Sequence, residues 1–237
     1  MGGHRRGLAF GTTALASAVL GCAAFAQQPT GPGAAPPGGD AASSPTGAAS
    51  SPAATVGQRY AERFATVCAA CHGANGRSDV PGTPVLAGQP SFYVITQLFL
   101  FREGRRDNEA MTAVAKGFTD NDLRGYSEYI GTLPPVPAPA PATPPDAVRM
   151  RQGLALAQQH KCFFCHGADL SGGQQVPRIA QQREEYLRAS LQGFRTGTRP
   201  GYTQAMIGAV SQIPEQDLDT LAYFAANFTG PAAPPGK

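Results

Sequence analysis

The sequence has almost no cysteine to spare. Five cysteines occur in 237 residues, and four of them, Cys68, Cys71, Cys162 and Cys165, fall in two short stretches. Only Cys22 is left over, so no pair remains for a structural disulfide. Charge of one sign is also lacking. There are 19 basic and 16 acidic residues, a formal net charge of +3. Residues 56–133 carry eight of each sign, and residues 146–230 carry eight basic and seven acidic. No electrostatic footprint for a nucleic acid is present. Long hydrophobic runs are missing as well. The apolar run from Leu8 to Leu20 is shorter than the ~20 residues that span a bilayer, and no later run is long enough.

What is present is concentrated in Cys68-Ala69-Ala70-Cys71-His72 and Cys162-Phe163-Phe164-Cys165-His166. Each reads C-x-x-C-H, the attachment signature of a c-type haem. Two thiols one helical turn apart reach the two vinyl groups along one porphyrin edge and form thioethers. The adjacent histidine then lies under the iron and supplies an axial nitrogen. A zinc site is the poorer reading, because each stretch offers only two Cys and one His where a structural site needs four ligands. A thioredoxin-like motif would need a βαβ setting and no obligatory histidine. The two stretches therefore predict two covalently bound haem c groups.

Residues 1–26 read as an export signal: Arg5 and Arg6, the apolar run, then a small-x-small cleavage site at Ala24-Phe25-Ala26. Export points to the periplasm. Val19-Leu20-Gly21-Cys22 also resembles a lipoprotein box, which leaves a lipid anchor on Cys22 open. Residues 27–55 are Gly, Pro, Ala, Ser and Thr with one charge and predict a disordered tether. A first folded unit follows over 56–133. Its predicted helices are Gln58–Val67 (buried face Tyr60, Phe64, Val67), Ser91–Arg102 (stripe Phe92, Ile95, Leu98, Phe99), Thr112–Lys116 with Met111 just before it, and a helix capped by Thr119 with Leu123, Tyr126 and Ile130 inward. Residues 134–146 form a Pro-rich, semi-rigid linker. A second unit spans 147–230, with helices over Met150–His160, Arg183–Phe194 and Glu215–Phe228, and residues 231–237 form a tail.

The second unit repeats the first. The two motifs lie 94 residues apart, and Tyr93, Leu98 and Phe101 face Tyr186, Leu191 and Phe194. Met111 lies 39 residues after His72 and Met206 lies 40 after His166. Such agreement argues duplication of one haem-binding unit. His72 and His166 each supply one axial ligand. His160 precedes its motif too closely to reach the far face, and Met150 has no counterpart. Met111 and Met206 remain, either as second ligands or as core methionines; ligation is favoured by their matching places and by the known His/Met arrangement. A six-coordinate iron of that kind has no open site for substrate, and no catalytic constellation is visible, so an electron carrier rather than an enzyme is expected.

At this point the chain resembles a dihaem class I cytochrome c, most similar to the cytochrome c4 group, over about residues 56–230. The resemblance is carried by both C-x-x-C-H stretches, the Pro-containing loops, the Gln89-x3-Tyr93 and Gln182-x3-Tyr186 pairs, Met111 and Met206. It implies an all-α fold of two tandem class I cytochrome c domains, each wrapping one covalent haem, with the haems facing each other near the interface. It implies that Pro84 and Pro177, 12 and 11 residues after the histidines, offer their carbonyls to the imidazole N–H groups. It also implies that Arg105 or Arg106, and Arg199, approach haem propionates. The linker is longer and richer in proline than a tightly packed pair leads one to expect. Redox proteins are the implied partners: a quinol-oxidising complex or dehydrogenase as donor, an oxidase or reductase as acceptor. The membrane enters only through a partner or Cys22. The alternatives are a dedicated electron-acceptor subunit of a periplasmic dehydrogenase, with exposed apolar residues around Phe163 and Phe164 for docking, and a dihaem peroxidase.

Overall fold

The computed structural model describes residues 55–199 and 204–230. The expected export signal, Cys22, the tether before Thr55 and the tail from residue 231 lie outside the described residues.

The first half opens with α1 (Val56–Val67). Its start is fixed by a capping box: Thr55 Oγ1 accepts from the Gln58 N–H at 3.2 Å, and Gln58 Oε1 accepts from the Thr55 N–H at 2.8 Å. Thr55, expected in the tether, is thus the cap of the first helix. Cys68 keeps a right-handed helical backbone and leads into α2 (Ala69–His72). Then come α3 (Ser91–Arg102), α4 (Glu109–Ala115) and α5 (Asp120–Thr132). The second half holds α6 (Ala147–Gln159), α7 (Cys162–His166), α8 (Glu184–Thr196), α9 (Ala205–Val210) and α10 (Glu215–Asn227). The described residues contain no strand, only an isolated bridge between Gly173 and Val176. None of their helices is long and apolar enough to cross a membrane.

Each half builds its own core. α5 packs on α1 and α3, and α10 packs on α6 and α8. Tyr60, Phe64, Leu98, Leu123, Tyr126 and Ile130 fill the first core. Leu187, Leu218, Leu221, Phe224 and Phe228 lead the second. Each such side chain, fully buried, contributes about 1.5–3 kcal/mol. The predicted face of α5 is the buried one, and α10 buries Leu218, Leu221, Ala222, Phe224 and Ala225. Two others are corrected. Val67, the last residue of α1, is 40% exposed, and only Tyr60 and Phe64 of the predicted face are buried. In α3 the buried residues are Val94, Leu98, Leu100 and Phe101, while Phe92 is 57% exposed. That helix is apolar on nearly every side, so its spacing does not select a face.

The two halves reach the same loop geometry with different residues. Gly76 has φ 74° and its carbonyl accepts from Leu86 N and Ala87 N. At the matching place Leu170 has φ 56° and its carbonyl accepts from Ile179 N and Ala180 N. A left-handed backbone disfavours leucine. Here the cost is offset by burial, since Leu170 is 1% exposed.

The linker is not a free spacer. The Gly88 N–H donates to Leu133 O at 3.0 Å, and the Ala138 N–H donates to Gln181 O at 2.9 Å. Pro135 lies directly against Gly88, where a Cβ would meet it at 2.9 Å. Residues 133–138 thus run from a loop of the first half to the matching loop of the second.

Candidate functional site

The two motif histidines are held alike. Each ends a short helix, α2 or α7, and each is 6% exposed. His72 Nδ1 lies 3.0 Å from Pro84 O, and His166 Nδ1 lies 3.0 Å from Pro177 O. A carbonyl only accepts, so the proton sits on Nδ1 and the Nε2 lone pair is left for a metal. Burial pushes both imidazoles below the ordinary histidine value, the proline carbonyls opposing part of that shift. Both are neutral imidazoles, fixed in orientation by the bond from Nδ1 to the proline carbonyl.

The four motif cysteines form no disulfide. Cys68 and Cys162 are half-buried, while Cys71 and Cys165 are exposed. Burial pushes the Cys68 thiol up to about 11 and moves Cys162 in the same direction. Among the described residues no three His, Cys, Asp or Glu side chains gather as an ion cage, so the zinc reading finds no further ligand.

Met111 does not precede its helix, as the spacing suggests, but sits inside the first turn of α4, and Met206 sits inside the first turn of α9, a helix the spacing did not predict. The turn of α4 starts earlier because Asn108 caps it, its Oδ1 accepting from the Met111 N–H at 2.9 Å. Each methionine is partly buried and packs against the core of its own half.

Between the halves lies a half-buried cationic cluster. Arg106 donates to Tyr186 Oη at 3.1 Å and to Gln97 Oε1 at 2.7 Å. Arg199 donates to Tyr186 Oη at 3.1 Å, to Tyr93 Oη at 3.3 Å and to Ser190 Oγ. The arrangement follows the repeat. Arg106 stacks on Phe101 at 4.4 Å and Arg199 on Phe194 at 4.8 Å, and each arginine follows its tyrosine by 13 residues. Burial would raise the Tyr186 phenol, but the guanidiniums of Arg199 and Arg106 outweigh it and hold Tyr186 well below its ordinary value. Burial and Tyr186 push Tyr93 up. Among the described residues neither arginine has a carboxylate partner. Two half-buried cations without a carboxylate partner fit an anionic group bound from outside the chain, and the carboxylates of two haems would meet that need. Arg105, the other sequence candidate, is exposed.

Sequence reasoning missed the bonds that join the halves. Gln182 Oε1 accepts from the Val85 N–H at 2.7 Å, and Gln182 Nε2 donates to Val85 O at 2.9 Å. Gln89 Oε1 accepts from the Arg178 N–H at 3.2 Å, and Gln89 Nε2 donates to Arg178 O at 2.8 Å. Arg183 adds bonds of 3.2 and 2.7 Å to Ser78 O. The halves therefore dock directly, against the looser pairing the linker suggested. The repeated Gln-x3-Tyr pairs were the available signal. Phe163, expected among exposed residues, packs edge-on against Phe224 at 6.3 Å; Phe164 is 88% exposed.

Residues 58–134 match the family model described as Cytochrome c. A cytochrome c4 of Thiocapsa roseopersicina is 33% identical over 165 residues, covering 67% of this chain and 85% of that one. The thiosulfate dehydrogenase electron acceptor of Thiomonas intermedia is 33% identical over 144 residues, covering 58% of this chain and 66% of that one. Reduced recombinant cytochrome c4 from Pseudomonas stutzeri shares the fold, with a TM-score of 0.65 and 24% identity over 73% of this chain and 98% of that chain. The helical fold, the paired C-x-x-C-H motifs and these relatives agree: the chain belongs to the cytochrome c4 family, and is a dihaem electron-transfer cytochrome of two tandem class I domains that binds two haem c groups.

Proposed function

We propose that the chain is an exported, periplasmic carrier of single electrons in which His72 and Met111 hold one iron and His166 and Met206 the other. Cys68, Cys71, Cys162 and Cys165 are the thioether positions, and Pro84 and Pro177 orient the histidines. The two units of this reading are residues 56–133 and 147–230, joined by 134–146. Bound haem supplies a reversible one-electron couple at iron. The residues of the chain do the rest. They hold two neutral nitrogen donors, place two thioethers in each of two matching helical turns, and offset negative charge with Arg106 and Arg199.

The observation that carries the reading is the matched pair of ligand sets. Each half presents a neutral histidine with Nδ1–H tied to a proline carbonyl. Each also presents a half-buried methionine at the start of a short helix. Two ligands per iron leave no position for substrate, which is why no enzymatic step is assigned.

The test is the absorption spectrum of the purified oxidised protein, with haem determined per chain. Two haems and a full-strength far-red sulfur-to-iron band are expected. Half that band, or high-spin iron, would mean an open position, would remove one methionine from the ligand set and would bring a dihaem peroxidase forward.

A second reading has a specific observation in its favour. The Thiomonas relative is named as the electron acceptor of a thiosulfate dehydrogenase. In that reading this chain serves one dehydrogenase as its dedicated acceptor rather than exchanging electrons among respiratory complexes. Purification from its own cells separates the two: a stoichiometric dehydrogenase partner supports the dedicated role, and a free chain supports the mobile carrier.

A further inference from the structure

The cross-interface glutamines do more than join the halves. Pro84 C=O and Val85 N–H are the two ends of one peptide group. The carbonyl end accepts from His72 Nδ1 at 3.0 Å, and the amide end donates to Gln182 Oε1 at 2.7 Å. The same chain of atoms runs the other way. Pro177 C=O accepts from His166 Nδ1 at 3.0 Å, and Arg178 N–H donates to Gln89 Oε1 at 3.2 Å. Each histidine is thus linked, through one peptide, to a side chain of the opposite half.

The linkage is buried and its direction is fixed. Gln89 is 5% exposed, Gln182 2% and Val85 1%. Each glutamine also donates its Nε2 to the next carbonyl, Val85 O or Arg178 O. Only one orientation of the amide satisfies both bonds, so Oε1 faces the N–H. An acceptor on the N–H of a peptide draws electron density toward its carbonyl oxygen, and bonds in series strengthen one another by about 10–30%. A stronger acceptor on Nδ1–H makes the imidazole a stronger donor through Nε2. Gln182 Oε1 also accepts from its neighbour Arg183 N at 3.0 Å, which shares its lone pairs without altering the direction of the effect.

We infer that Gln182 sets the donor strength of His72, and Gln89 that of His166, each across the interface, so that docking of either half tunes the metal ligand of the other. The inference rests on His72 and His166 being axial ligands. Both glutamines are positioning residues, acting through a peptide rather than on the cofactor. A stronger imidazole donor favours ferric iron, so loss of the glutamine raises the potential of the haem in the opposite half. Separation of the halves, for example against a partner protein, would act in the same direction.

The experiment uses the full chain with both haems and two variants, Gln182→Leu and Gln89→Leu. Both weaken the same interface, so each controls for the other. The potential of each haem and the NMR resonance of each axial Nδ1–H in the reduced protein are measured. Ligation is read first, in the wild type, from the strong ring-current shift of the His72 and His166 ring protons; without that shift the ligand assignment fails, independently of the relay. The expected pattern is crossed. Gln182→Leu moves the His72 Nδ1–H upfield and shifts the reduction equilibrium of the first haem about threefold toward ferrous. Gln89→Leu does the same to His166 and the second haem. Equal movement of both haems in both variants, or no movement, overturns the inference. If a leucine variant does not fold, Gln182→Glu serves: it keeps an acceptor of greater strength, and must move the His72 Nδ1–H downfield, with an upfield or absent shift overturning the relay.

Discussion

Gly125 on α5 lies against the ring of Tyr60 on α1, so close that a Cβ at residue 125 would come within 1.9 Å of Tyr60 Cε2. The second half makes the equivalent crossing with the roles exchanged. There the glycine is Gly153 on the opening helix α6, and the aromatic is Phe224 on the closing helix α10, 2.3 Å from the built Cβ. Both crossings let two helix backbones approach over an aromatic ring that is itself buried.

Gly125→Ala is therefore expected to destabilise the first half. The Tyr60 ring is held by its contact with Tyr126 at 5.1 Å and by the bond from Tyr60 Oη to Asp122 Oδ1 at 3.0 Å, so it has little room to move aside. Overpacking of this kind costs about 1–3 kcal/mol. Thermal unfolding of the holoprotein, followed in the far ultraviolet, checks it. An Ala variant as stable as the wild type would mean that α1 and α5 slide apart freely.

Asp122 links that crossing to pH. It closes the capping box of α5, accepting from Thr119 N at 3.0 Å and from Thr119 Oγ1 at 2.8 Å, and it also accepts from Tyr60 and Arg63. Burial alone would raise its carboxyl. The Thr119 backbone, Arg63, the Thr119 hydroxyl and Tyr60 outweigh burial and hold it at about 2, below its ordinary 3.8. A folded value below the unfolded one adds stability that is fully present above about pH 4 and is lost as pH falls toward 2. Asp122→Asn should cost on the order of 1–2 kcal/mol at pH 7. The gap between variant and wild type should then close between pH 4 and pH 2. A gap that stays constant over that range would rule out the carboxylate as its source.

Single substitution of the methionines tests the ligand sets one at a time. Met111→Ala and Met206→Ala are each expected to remove half of the far-red band while leaving two haems per chain, because attachment rests on the cysteines. Each methionine packs against its own core only, so the other half should keep its spectrum. A variant that retains the whole band would identify that methionine as a core residue.

Much of this site was legible because it is local. The C-x-x-C-H stretches and the Met positions lie within one unit, and the His–Pro bonds span only 12 and 11 residues. Helix ranges followed from spacing and caps, as with Thr119 and the α5 face of Leu123, Tyr126 and Ile130. Two things were not legible. The α3 segment is apolar all round, so its buried face was decided by tertiary packing. The docking of the halves depends on Gln182 meeting Val85, 97 residues away. No periodicity records such a contact. The repeat marked Gln89 and Gln182 as matched residues but was silent on their partners, and the proline content of the linker argued the wrong way.

The arginine pair gives the last prediction. Arg199 lies half-buried among Tyr93, Tyr186, Ser190 and Phe194, and Arg106 among Tyr186, Gln97 and Phe101. If these guanidiniums offset haem carboxylates, they also stabilise the ferrous state, which carries one positive charge fewer. Arg199→Gln should then lower the potential, by an equilibrium shift worth on the order of 1 kcal/mol for a half-buried charge. Arg105→Gln is the control, because Arg105 is exposed and its charge is screened by solvent. Spectroelectrochemical titration of the three proteins decides it. A fall confined to Arg199→Gln assigns the half-buried pair to the carboxylates. Equal falls in both variants would reduce the effect to overall charge, and an unchanged Arg199→Gln would leave Tyr93, Tyr186 and Ser190 as the hydrogen-bond partners of Arg199.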